Sequence, residues 1–279
     1  MALSRKRMIK RVALTGCMLV LAVIYIYPVF LMFINSVKPF GEVVVDVIAL
    51  PSRLEWENYT YVMDKMQYGK LFLNNVMITV IGIIGIVMFA SLSAYIMSRR
   101  RNRYTKLVYL LITTPMLIPF QTIMITLLKV MGILHMSGSR LGLAVQYWGF
   151  GIPMAAFIYS NFMATIPKEM DESALIDGAG TFKTFCLIIF PLLKSVTFTI
   201  IVLDVMWIWN DFLLPLLMVN SSNETKTLVL AAYTFVGQFN TQWHYAMTAM
   251  VLAVLPSIII FILLQKYIVE GVVAGAVKG

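Results

Sequence analysis

Two carboxylates stand inside an otherwise apolar stretch, and their spacing places them together. Asp204 and Asp211 lie in the run Val196 to Val219, with Trp207 and Asn210 between them. At 100° per residue, Asp204, Trp207 and Asp211 share one helix face. A carboxylate accepts hydrogen bonds from hydroxyl groups, and an aromatic ring packs on an apolar surface. That pairing suits the passage of a hydroxyl-bearing solute along this face, with Asn210 as a second polar group nearby. The same residues admit other readings. Either carboxylate can accept bonds from a neighbouring helix and fix its packing, or the two can carry protons in a transporter driven by an ion gradient using Asp204 and Asp211.

Other chemistry is missing. The sequence contains no Gly-x-x-x-x-Gly-Lys-Ser/Thr phosphate loop. Its Gly-Lys pair, Gly69-Lys70, lacks both the upstream glycine and the following hydroxyl. No His-Glu-x-x-His or Gly-x-Ser-x-Gly occurs. The cysteines, Cys17 and Cys186, and the histidines, His135 and His244, lack metal-ligand spacing. Both cysteines read as small apolar filler and both histidines as solvated. The expectation is a protein that is not an enzyme and has no cofactor or metal of its own. If ATP drives it, another chain binds the ATP.

The elements that carry these residues follow from composition. Of the 279 residues, 60% are hydrophobic and 13% are charged. A typical soluble domain is roughly 25% charged, so the excess apolar sequence must face lipid. Six runs approach the length of about 20 residues needed to cross a bilayer. They are Val12 to Ile34, Val76 to Met97, Leu107 to Leu128, Leu141 to Met163, Val196 to Val219 and Tyr245 to Leu264. The first is too long for a signal-peptide core and has no small-residue cleavage pattern, so it reads as an uncleaved span. Pro115, Pro119 and Gln121 in the third run predict a helix buried in a bundle. Gly142, Gly149, Gly151 and Pro153 in the fourth predict close helix approach. Pro256 predicts a kink in the sixth. The predicted fold is therefore an all-α membrane protein with six transmembrane helices, in one integral-membrane domain covering 1–279.

The net charge of +9 is distributed unevenly. With six spans, the segments on the side of both termini hold 15 of the 22 basic residues. Arg5, Lys6, Arg7, Lys10 and Arg11 precede the first span, and Arg99-Arg100-Arg101-Asn102-Arg103 follows the second. Lysine and arginine excess marks the cytoplasmic side, so both termini are predicted to be cytoplasmic. The basic residues do not alternate with aromatics, which argues against nucleic acid. On the outer side, Asn220 to Gln242 becomes apolar between Leu228 and Val236. That segment reads equally as an ordinary ordered loop or as one that dips toward the membrane or packs on a partner.

The cytoplasmic segment 165–195 is too polar to span and too long for a turn. Pro167 suits a first helical turn, and Glu169, Asp171 and Glu172 complement a helix N-terminus. Gly178 suits the left-handed position that ends a helix, and Thr181 is the expected cap of the next. Phe182, Phe185, Cys186 and Ile189 form one apolar stripe, and Pro191 is expected to end the second helix. This predicts a helix-turn-helix at the cytoplasmic face. Such an element is either a docking surface for a soluble partner or a connector lying on the membrane.

Glu172-Ser173-Ala174 and Asp177-Gly178-Ala179, followed by Phe185, Ile188 and Pro191, resemble the EAA loop of ABC-importer permeases, with Ser173 replacing the usual middle alanine. Ser195 stands where that family often has a second proline. Phe72-Leu73-Asn74-Asn75, Ser93-Ala94-Tyr95 and Ile166-Pro167-Lys168-Glu169 are similar to family segments at matching depths. Trp209-Asn210-Asp211-Phe212 and the terminal Gly271 to Gly279 resemble the carbohydrate branch, and specifically its maltose-type second permease. The resemblance implies a coupling helix that fits a groove of an ATP-binding subunit, with Glu172, Ser173, Ala174, Asp177, Gly178, Ala179, Phe182 and Phe185 in contact. It also implies a second permease subunit, two ATP-binding subunits that hold ATP and Mg, an extracytoplasmic solute-binding protein, a sugar substrate and a prokaryotic cell membrane. A structural scaffold that only recruits a cytoplasmic partner remains a further reading.

Overall fold

A backbone in hydrocarbon must satisfy its own hydrogen bonds, and a helix does so within one segment. The computed structural model describes the backbone of residues 2–100, 102–237 and 241–276, and side chains within 7–100, 102–237 and 241–266. Every regular element among them is helical. Arg101 and the last three residues of the C-terminal motif lie outside the described residues.

The chain divides into two compact units. One comprises the sequence up to Tyr68 together with Ala231–Ala253. Its first helix, α1 (Ala2–Ser36), is followed by short helices α2 (Phe40–Val45) and α3 (Glu57–Met66). The loop around them is ordered by buried polar groups. Lys38 is fully buried and its Nζ donates to the Asp46 carbonyl at 3.0 Å. Asn58 donates to the Ser36 and Lys38 carbonyls. Asp46 accepts from the N–H groups of Ile48 and Ala49, which holds its carboxyl below the usual range. His244, expected to be solvated, is buried between Phe40 and Tyr245, with ring centroids at 5.3 and 3.8 Å. His135 is exposed, as expected.

The second unit holds Gly69–Leu230 and the chain from Val254 onward. It contains α4 (Tyr68–Arg99) apart from its first residue, α5 (Arg103–Thr113), α6 (Phe120–Ile133) and α7 (Arg140–Met163). There follow α8 (Glu169–Ile176), α9 (Thr181–Thr184), a π-helical turn (Phe185–Ile189) and α10 (Phe190–Leu192). α11 (Lys194–Asn210) and α12 (Leu213–Val219) complete this part. α13 (Leu228–Ala232) and α14 (Trp243–Ala276) continue from one unit into the other. The segment from Leu228 to Val236 divides: Leu228, Leu230, Ala231 and Ala232 are buried, whereas Tyr233 and Thr234 are exposed.

Among the described residues, four helices are long and apolar enough to cross a membrane, within α1, α4, α7 and α14. Two bent pairs raise the number to at most six. The third apolar run is one of them: α5, extended by a 3-10 turn, meets α6 at 107°. Pro115 starts the turn and Pro119 caps α6. A proline lacks the N–H and clashes with the preceding turn, so the expected single helix is broken. Nor is it enclosed within the chain: α5 buries no side chain, and α6 buries only Met131. The core lies on α4 and α7, where Ile86, Leu143, Ala144, Tyr147 and Tyr159 are fully buried.

Candidate functional site

The run Val196 to Val219 is not one helix. α11 ends at Asn210, Asp211 is extended (φ −69°, ψ 134°), and α12 restarts at Leu213. The signal is Pro215. In a continuous helix its ring would meet the carbonyl of residue 211, whereas in the first turn of a new helix no N–H is needed. Asp211 takes up one freed N–H itself, and side chains from three other helices bond to residues beside the break. Asp211 Oδ1 accepts from Leu213 N–H at 3.1 Å, and Oδ2 from the Tyr147 hydroxyl at 2.9 Å. Asn75 donates to the Trp209 carbonyl at 3.4 Å and accepts from Leu228 N–H at 2.8 Å. Ser257 donates to Asn210 Oδ1 at 3.2 Å.

Beside the break lies a cavity of about 280 Å³ lined by Phe120, Gln121, Phe150, Trp207, Asp211 and Leu214, among others. Trp207 packs edge-on to Tyr147 at 5.3 Å. The four residues singled out from sequence therefore separate. Trp207 and Asp211 meet at the cavity. Asn210 turns to Ser257 and to the Met206 carbonyl. Asp204 lies outside the lining, with Oδ2 buried and unpartnered. The bend at Pro119 brings Phe120 and Gln121 to the same cavity, a role no local pattern announces.

The cytoplasmic segment does form a helical hairpin. Gly178 has φ +79°, and its N–H donates to the Leu175 carbonyl while Ala179 N–H reaches back to Ala174. These two bonds make the paired, left-handed helix stop expected at this position. Thr181 does not cap the second helix. Gly180 occupies the cap position without a side-chain bond, and Thr181 begins the helix. The expected apolar stripe also divides. Phe185 and Ile189 are buried, whereas Phe182 and Cys186 are exposed. The π turn from Phe185 adds a residue to the helical cycle and rotates the register. Pro191 does not stop the helix outright; the chain turns by 77° two residues later, between Leu192 and Lys194. Of the candidate docking residues, Ala174 and Phe185 are buried and Ser173 bonds its own helix at Glu169. Ala179 is half-buried, and Glu172, Asp177, Gly178 and Phe182 are exposed.

Sequence reasoning missed what holds the hairpin. Asp171 Oδ1 accepts from the Tyr95 hydroxyl at 2.6 Å, and Oδ2 lies 2.9 Å from Arg99 Nε. Arg99 Nη1 donates to the Ile166 carbonyl, and the Tyr95 ring lies 5.2 Å from that of Phe185. Both members of the ion pair are 14% exposed. Arg99 and Asp171 were legible only as a flank charge and a helix-terminus charge.

Residues 86–273 match the family described as "Binding-protein-dependent transport system inner membrane component". The chain is 37% identical, over 98% of its length and 99% of the relative's, to the "Probable starch degradation products transport system permease protein AmyC" of Thermoanaerobacterium thermosulfurigenes. It is 32% identical to the "Melibiose/raffinose/stachyose import permease protein MelC" of Bacillus subtilis, over 93% of this chain and 94% of that one. Its fold is similar to a chain in the crystal structure of a bacterial ABC transporter involved in import of the polysaccharide alginate. The TM-score is 0.81 at 21% identity, with 94% of this chain and 98% of that chain covered.

Proposed function

This chain belongs to the family of binding-protein-dependent transport system inner membrane components, and from that premise we propose that it is the second permease of a carbohydrate importer. It is a membrane-embedded transport subunit, not an enzyme. In the proposed assembly it forms half of the translocation pathway, beside a second permease subunit. Two ATP-binding subunits supply ATP and Mg chemistry, and an extracytoplasmic solute-binding protein delivers the sugar. The whole chain, 1–279, acts as one permease domain. Six spans follow if the bent α5/α6 pair crosses once and α11, continued by α12 beyond its interruption, crosses once while α9 and α10 stay at the cytoplasmic face. Both termini are then cytoplasmic, in line with the lysine and arginine asymmetry.

One observation carries the mechanism: the hairpin bearing Glu172 to Ala179 is tied to the end of α4 by Asp171, Tyr95 and Arg99. Glu172, Ser173, Ala174, Asp177, Gly178, Ala179, Phe182 and Phe185 belong to the element that docks on the ATPase. A displacement of that element by ATP-driven closure is carried into α4 through the latch and into α11 through the bend after Pro191. α4 and α7 meet the α11/α12 break through Asn75 and Tyr147, so the motion reaches the cavity at Trp207 and Asp211. There the indole offers an apolar face and the carboxylate accepts hydroxyl bonds. Asp204 and Asn210 support the path from outside its lining.

Reconstitution tests the proposal. Sugar uptake by vesicles containing this chain is expected only when the second permease, the ATPase, the binding protein and ATP are all supplied. Uptake by this chain alone under a proton gradient would establish the secondary-transporter reading instead.

A further inference from the structure

We propose that the cleft between the neighbouring ends of α4, α5 and α7 binds the phosphate of an anionic phospholipid in the inner leaflet. The cleft encloses about 520 Å³ and is lined by Arg103, Lys106, Tyr109, Ser160 and Asn161, among others. No carboxylate is in its lining, and among the described residues neither Arg103 nor Lys106 forms an ion pair. Among the described residues, then, no carboxylate competes with an anion for these two cations, and the Arg103 guanidinium lies 5.8 Å from the Tyr104 ring centroid.

The local fold leaves these groups free. Asn102 and Thr105 satisfy each other in a capping box at the start of α5, with Thr105 N–H donating to Asn102 Oδ1 at 2.8 Å. Asn102 Oδ1 and the Thr105 hydroxyl are thus committed, while Ser160 Oγ is buried with no partner. The start of α5 adds its positive helix end to the side of the cleft where the cations stand.

The apolar surroundings favour a lipid over a free phosphate ion. α5 buries none of its side chains, and Leu107, Leu110 and Leu111 are at least half exposed. They run from the cleft along a surface that acyl chains can cover. Tyr104 is 71% exposed at the cationic end, where an amphipathic ring suits the headgroup layer. Basic pockets between transmembrane helices at the cytoplasmic side are suited to anionic headgroups. The assignment to the inner leaflet rests on the proposed orientation.

Native mass spectrometry tests the site on the full-length chain, alone and assembled with its partners, titrated with phosphatidylglycerol and with phosphatidylcholine. Selective retention of phosphatidylglycerol is expected, resistant to excess inorganic phosphate. In the Arg103→Gln/Lys106→Gln variant that retention should fall about tenfold or more, the loss expected for two cations near an anionic surface. Lys183→Gln, a change outside the cleft lining, should leave it intact. Both cleft cations are exposed, so the variant should fold; circular dichroism checks this, and Lys106→Glu alone should repeat the loss. Equal retention in variant and wild type would overturn the site. Displacement by inorganic phosphate would make it a free-phosphate site, and loss of binding on assembly would make it a subunit contact. Transport plays no part in this readout. If uptake proves independent of ATP while lipid selectivity persists, the importer reading falls and the lipid site stands.

Discussion

Asp211 engages its two oxygens separately, one with the Tyr147 hydroxyl and one with Leu213 N–H. Asparagine can keep both contacts, because its oxygen accepts from the backbone and its amide can donate to the tyrosine oxygen. Asp211→Asn therefore isolates the charge from the fold. A hydrogen bond to a charged group contributes about 1.5–3 kcal/mol, so uptake is expected to fall at least about tenfold with ATP hydrolysis retained. Parallel uptake and ATPase assays check it. Asp204→Asn should lower uptake less, because Asp204 is outside the cavity lining. Asn210→Ala should act on stability instead, by about 1 kcal/mol for the bond lost to Ser257. Thermal unfolding in detergent distinguishes that result from a transport defect.

Element geometry was partly legible in the sequence. The helices containing the first, second, fourth and sixth runs follow hydropathy, because length and apolar content alone demand them. The α11/α12 break does not. The apolar run resumes after Asn210-Asp211 and continues to Val219, so hydropathy alone reads one span; the interruption depends on Pro215 acting on residue 211 together with partners on α4, α7 and α14. The π turn at Phe185–Ile189 was likewise hidden, since strict helical spacing assumes the register it breaks. Small residues in the fourth run predict close approach; Gly151 makes one, and Gly85 of the second run, which that reading did not name, makes another. A Cβ on Gly85 would lie 2.1 Å from the Trp148 ring, and one on Gly151 would lie 2.3 Å from Ile86 Cδ1. Gly149 has nothing within 4 Å. Gly85→Ala should thus cost about 1–3 kcal/mol by overpacking, whereas Gly149→Ala should leave thermal unfolding no less stable. The latch between α4 and the hairpin allows a second test. Arg99→Ala leaves Asp171 buried without its cation, a loss of roughly 3 kcal/mol. ATPase stimulation by the binding protein should fall with it. An Arg99→Asp/Asp171→Arg exchange should recover part of the stimulation.

Across the whole molecule, orientation is a statement about charge. The proposed cytoplasmic side has the hairpin and the basic end of α5, and the opposite side has the loop after α12. Lysines and arginines resist translocation in short loops, and this chain concentrates them beside the hairpin and the first span. Two exposed polar residues make the prediction measurable: Lys183 on the hairpin and Asn223 in the loop after α12. The native thiols Cys17 and Cys186 are both exposed within the chain, so Cys17→Ser/Cys186→Ser provides the background. In intact cells a membrane-impermeant maleimide should label Asn223→Cys and spare Lys183→Cys. In inverted vesicles freed of the ATPase subunit the pattern should reverse. Labelling of both from one side would remove the proposed topology, because an odd number of crossings separates these positions when α11 and α12 together form one span.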